Sequence, residues 1–134
     1  MVSSRGPLAA RSHPTRVLVA DDDDDYRLGL RALLEKAGFD VVEATNGAVA
    51  LELCRSANPA IVLLDVIMPV MSGAEFLRAK QADSRIMYIP VVVISTTDIS
   101  VSARVVRHLR KPVAPDVLLS IIRVVVGAAR PAAP

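Results

Sequence analysis

"VLVADDDDDYRLGL", Val17–Leu30, runs four apolar residues into five consecutive aspartates and then into a leucine-rich pattern. Carboxylates set side by side repel one another, so a folded chain keeps such a run only where something offsets the charge. The apolar residues read as a strand. Leu30, Leu33, Leu34 and Ala37 recur at helical spacing, and Gly38 supplies a C-terminal stop. The aspartates therefore stand at the carboxyl end of a strand, just before a helix.

The same alternation continues along the chain. "RVLVA" (Arg16–Ala20), "IVLLD" (Ile61–Asp65) and "VVVIS" (Val91–Ser95) are near-continuous apolar runs, which suit strands buried on both faces of a parallel sheet. "DVVEA" (Asp40–Ala44) and "VVRHL" (Val105–Leu109) are more polar and read as sheet edges. Between them, Asn46-Gly47 opens a helix with Ala50, Leu51 and Cys54 on one face. Another helix runs from about Ser72 through Phe76, Leu77 and Lys80. A final one starts at Pro115 and continues through Leu118, Leu119, Ile122 and Val126. This order predicts an α/β fold with a doubly wound parallel sheet. Only nine residues, Thr96–Arg104, separate the fourth and fifth strands. A parallel crossover needs about ten to twelve, so the fourth helix is expected to be shortened or missing.

The 134 residues suit one domain, predicted over 16–127, with flexible tails at 1–15 and 128–134. At 52% hydrophobic but 3% aromatic, the core must be built from Val, Leu, Ile and Ala. No basic face interleaved with aromatics suggests nucleic acid. No apolar run approaches the roughly 20 residues of a membrane span. The single Cys54 fits a reducing cytoplasm.

In open parallel sheets, function gathers at the carboxyl ends of the strands. There the sequence places Asp21 and Asp22 after strand one, Asp65 after strand three, Ser95 at the end of strand four and Lys111 after strand five. Three carboxylates sharing a pocket raise one another's pKa unless a cation neutralises them. Mg2+, which prefers carboxylate oxygens and water and leaves positions open for a phosphoryl group, answers that need together with Lys111. Asp23 or Asp24 is then expected to cap the next helix, with the other acids facing the positive end of its dipole.

At these residues the chain resembles a response-regulator receiver domain of two-component signalling. The likeness covers Arg16 to about Val126. It rests on the acidic pair in "LVADD", on "LLDVIMPVMSG" with Asp65, on "VVVIST" with Ser95 and on "RKPV" with Lys111-Pro112. Each motif alone is weak; four in order, each at a strand end, are specific. The resemblance implies a flavodoxin-like five-stranded sheet in the order 2-1-3-4-5. It makes Asp65 the acceptor of a phosphoryl group from a histidine kinase or phosphotransfer protein. Asp22, Asp65 and the backbone carbonyl of Ile67 would bind Mg2+, with Asp21 acting mainly through water. Lys111 would neutralise charge on the phosphoryl oxygens. Ser95 would bond the phosphoryl group and relay the signal, and Lys111-Pro112 would carry a cis peptide.

Three departures bear on mechanism. Thr96 stands where the family prefers Ala or Gly and is expected to narrow access to Asp65. His108 aligns with the family's aromatic switch, although a partly exposed strand residue is the plainer reading. The short Thr96–Arg104 crossover is expected to uncover Val92, Ile94 and part of the final helix, a patch suited to a homodimer or a binding partner.

The first expectation is thus a single-domain phosphoacceptor acting on a downstream protein target not named by the sequence. Ile67 and Thr97 offer no carboxylate or amide to position water, so slow self-dephosphorylation is expected. A pseudo-receiver that binds partners without phosphorylation is the alternative. A metal-dependent phosphohydrolase stands third, because its Asp-x-Asp pattern occurs trivially inside "DDDDD".

Overall fold

The computed structural model describes residues 14–96 and 105–129. The strands are β1 (Arg16–Ala20), β2 (Asp40–Ala44), β3 (Ile61–Leu64), β4 (Val91–Ser95) and β5 (Arg107–Arg110). Among the described residues the helices are α1 (Asp24–Lys36), α2 (Gly47–Ala57), α3 (Gly73–Gln81) and α4 (Pro115–Ala129). All neighbouring strands run parallel, in the order β2-β1-β3-β4-β5.

Strand pleating sorts the apolar runs into two cores. Leu18, Ala20, Val62, Leu64, Val91 and Val93 point to one face and pack with Ala50 and Cys54 of α2 and with Phe76 and Leu77 of α3. Val17, Val19, Ile61, Leu63, Val92 and Ile94 point to the other, against Leu30 and Leu34 of α1 and Leu118 and Ile122 of α4. Covered on both sides, β3 and β4 are buried throughout, whereas β5 is largely exposed. This is the predicted doubly wound sheet with its more polar strands at the edges.

The expectation that Val92 and Ile94 lie bare is overturned. They are 0% and 2% exposed because their side chains face α1 and α4. The homodimer expectation loses the strand part of its ground and keeps the final-helix part, where Val117 and Val124 are exposed. The short crossover, and whether it holds a helix, falls at residues 97–104, outside the described residues. β5 begins two residues later than the apolar pattern suggests. Val106 still joins the sheet, its N–H donating to the Val91 carbonyl of β4 at 2.8 Å.

Helix ends follow local chemistry. Asp23 caps α1 and accepts from the Tyr26 N–H, and Asn46 caps α2 and accepts from the Val49 N–H. Ser72 and Glu75 form a reciprocal capping box on α3. After α1 the backbone turns left-handed at Gly38, φ 97°, where a side chain is disfavoured.

Candidate functional site

Register brings the acids together. The Asp21 N–H donates to the Ala44 carbonyl and the Asp65 N–H to the Ala20 carbonyl, each continuing the sheet one residue past a strand end. Carboxylate oxygens of Asp21, Asp22 and Asp65 consequently lie within 4.8 Å of one another. Asp21 is buried, Asp65 half-buried and Asp22 exposed. On the far side, the Lys111 N–H donates to the Ser95 carbonyl at 2.9 Å, next to the pairing of Ser95 with Arg110. The Lys111-Pro112 peptide is cis. Lys111 Nζ reaches Asp21 Oδ2 at 2.7 Å.

The run of aspartates is divided among separate partners. Asp21 accepts from Lys111 through Oδ2 and from the Asp23 N–H through Oδ1 at 2.9 Å. Asp23 caps the helix, and Asp24 and Asp25 occupy its first turn, facing the positive end of the helix dipole. Arg27 adds a basic partner: it donates to the Asp21 carbonyl at 2.8 Å, to Asp24 at 2.7 Å and to Glu43 at 2.8 Å. Sequence reading missed Arg27. The available signal was its position three residues after Asp24, on the same helical face.

Tyr26 was missed as well. Its ring face lies 4.0 Å, centroid to Nζ, from the Lys111 ammonium. Burial raises the phenol pKa above its ordinary value, and the Asp21 and Asp65 carboxylates add to the rise. The Asp65 carboxyl is also held above the usual carboxylate range. Desolvation is the main cause, Asp21 adds to it, and Lys111 and a hydrogen bond from the Val66 backbone oppose it. Hard oxygen donors at this spacing fit a small divalent cation, whose charge would offset both the desolvation and the repulsion that raise the Asp65 pKa.

The loop after Asp65 is fixed by close packing. A Cβ on Gly73 would sit 2.6 Å from Val66 Cα and 2.7 Å from the Asp65 carbonyl oxygen, so only glycine admits the approach. Met68 is buried in the core, while Ile67 is exposed beside the acids. Ser95 is 1% exposed at the end of β4. Thr96 is exposed, and His108 is exposed on β5 in register with Val93.

A parallel sheet in the order 2-1-3-4-5 is the fold the sequence motifs predict, and comparison with known proteins agrees on the fold and the family. Residues 17–123 match the response regulator receiver domain family. The chain belongs to that family of signalling proteins. It is 33% identical over 120 residues to protein PilH of Pseudomonas aeruginosa, covering 84% of this chain and 98% of PilH. It is 39% identical over 117 residues to response regulator MprA of Mycolicibacterium vanbaalenii, covering 82% of this chain and 49% of MprA. Among solved structures, the chemotaxis protein CheY4 of Vibrio cholerae superposes with a TM-score of 0.75 at 30% identity, covering 84% of this chain and 98% of that one. No helix among the described residues is long and apolar enough to cross a membrane.

Proposed function

We propose that this receiver accepts a phosphoryl group on Asp65, in a Mg2+-dependent reaction, from a histidine kinase or phosphotransfer protein, and signals through protein contacts in the cytoplasm. The observation that supports this most is the convergence of Asp21, Asp22 and Asp65 within 4.8 Å at the edge where Lys111 also arrives.

In the reaction, an Asp65 carboxylate oxygen attacks phosphorus, and the bond from phosphorus to the donor's leaving atom breaks as that atom, the imidazole nitrogen of a phosphohistidine or the carboxylate oxygen of acetyl phosphate, takes the electron pair. Negative charge spreads over the phosphoryl oxygens, where the Lys111 ammonium offsets it. Asp22, Asp65 and the Ile67 carbonyl are assigned to the metal, which when bound supplies further positive charge at those oxygens. Asp21, whose oxygens accept from Lys111 and from the Asp23 N–H, is assigned a contact through water, as the family resemblance implies. Ser95 bonds the transferred group, and we assign the outward relay to Ser95 together with His108 on the adjoining strand.

Once formed, the acyl phosphate faces an exposed aliphatic side chain at Ile67, which cannot orient water, so hydrolysis is slow. Thr97, the second position expected to tune this lifetime, lies outside the described residues. Incubation with acetyl phosphate, read by intact mass, tests the proposal. A gain of one phosphoryl group that needs Mg2+ and is lost in Asp65→Asn is expected. Absence of labelling by the folded protein refutes the proposal and favours the pseudo-receiver.

A further inference from the structure

Lysine is a flexible point charge with large rotamer freedom, yet the Lys111 side chain is only 13% exposed. Two groups of different character hold its ammonium. Asp21 Oδ2 holds it by charge at 2.7 Å, and the face of Tyr26 holds it at 4.0 Å from the ring centroid. These two grips respond differently to movement. An ion pair with a hydrogen bond is directional and is lost when the ammonium turns away. Attraction to the ring quadrupole is broad, so the ammonium can pivot over the face and keep it.

The ring itself is firmly placed. The Tyr26 N–H is bound by the capping carboxylate of Asp23 at 3.1 Å. Leu30, one turn further on, is buried in the core beneath α1 and α4, and the Tyr26 ring packs against that same core. Asp24 and Asp25 precede Tyr26 in the first turn of α1. Tyr26 is thus built into the start of α1 as a wall of the acidic site rather than lying across it as a mobile side chain.

We infer that Tyr26 is a positioning residue whose ring face keeps the Lys111 ammonium at the site while it moves from Asp21 to the phosphoryl group on Asp65. The inference rests on the phosphoacceptor reading of Asp65. It assigns the ring, not the hydroxyl, and it makes Tyr26 act through Lys111 without touching the transferred group.

Tyr26→Leu, Tyr26→Met and Tyr26→Phe test it, with two readouts on the full chain. The first is the ring-current shift of the Lys111 ε-methylene protons in unphosphorylated protein. The second is the rate of Mg2+-dependent labelling by acetyl phosphate, a donor too small to need docking. In Tyr26→Leu the shift vanishes and labelling slows by up to about fivefold, because an ammonium that has let go of Asp21 then has no ring to hold it at the site. Tyr26→Met, which keeps the bulk, behaves like Tyr26→Leu and replaces it if the leucine variant does not fold. Tyr26→Phe restores both readouts, which a general loss of packing or of the hydroxyl would not produce. Labelling at the wild-type rate in Tyr26→Leu or Tyr26→Met, or a Tyr26→Phe as slow as they are, overturns the inference while the acceptor reading stands. A wild-type protein that takes no label overturns both, and the shift then shows only where the ring lies.

Discussion

Lys111 and Asp21, 90 residues apart in the chain, meet at 2.7 Å with side chains 13% and 4% exposed. The pair closes the site from its deepest carboxylate and joins β1 to the segment after β5, across four of the five strands. Breaking such a pair leaves a buried charge without its partner. Lys111→Met is expected to lose about 3 kcal/mol of stability in urea unfolding, the usual scale for one-sided removal. Millimolar Mg2+ should recover part of that loss, since a cation then returns to the cluster. An unchanged unfolding midpoint would show that the pair contributes nothing to the fold.

Asp65 makes a pH-dependent prediction. Its folded-state pKa is raised, chiefly by desolvation, so the folded protein binds this proton more tightly than the unfolded chain. The stability that results is fully present below the unfolded value and is lost as pH rises through the folded one. At neutral pH the ionised carboxylate therefore works against folding, and metal-free Asp65→Asn is expected to be more stable than wild type. Thermal unfolding should show the gap closing as pH falls toward 4, and closing also at pH 7 when Mg2+ is added. A variant less stable than wild type at pH 7 without metal contradicts the assignment.

Gly73 is set by the approach of α3 to the residues after β3. A Cβ there meets Val66 and Asp65 backbone at 2.6 and 2.7 Å, and backbone cannot rotate aside. Gly73→Ala is expected to cost about 1–3 kcal/mol, as overpacking does, and to displace the Asp65 carbonyl. Calorimetry checks the first and the labelling rate of Asp65 the second. Both should fall together.

How much of this was legible beforehand depends on whether the signal was local. Strands β1, β3 and β4 announce themselves because burial on both faces requires unbroken apolar runs, and the caps at Asn46 and Ser72 lie within three residues of the groups they bind. The acids at the strand ends were legible for the same reason. Tyr26 and Arg27 were not. Tyr26 does its work on Lys111, brought by the tertiary fold, and nothing in its own neighbourhood distinguishes it from a surface residue; Arg27 had a local signal only in Asp24, and its bond to Glu43 also comes from the tertiary fold. The patch expected at Val92 and Ile94 failed because exposure was inferred from a short connection. Pleating instead turns both side chains toward α1 and α4.

The cap at Asp23 links stability to the site. Its carboxylate accepts from the Tyr26 N–H at 3.1 Å, so Asp23→Ala should cost about 1 kcal/mol in unfolding experiments and loosen the first turn of α1. The Lys111 ε-methylene protons are expected to lose part of their ring-current shift in this variant. Asp23→Asn or Asp23→Ser, which retain a capping oxygen, should recover most of both. A cap loss that leaves the shift intact would mean that the core beneath α1 alone places the ring.

The most direct measurement locates the phosphoryl group. After labelling with acetyl phosphate and Mg2+, borohydride reduces an aspartyl phosphate to homoserine, and peptide mass spectrometry identifies the residue changed. Conversion at Asp65 alone is the predicted result. Conversion at Asp21 or Asp22 with Asp65 untouched, or none in a protein that carries label, would contradict the assignment of Asp65 as the acceptor.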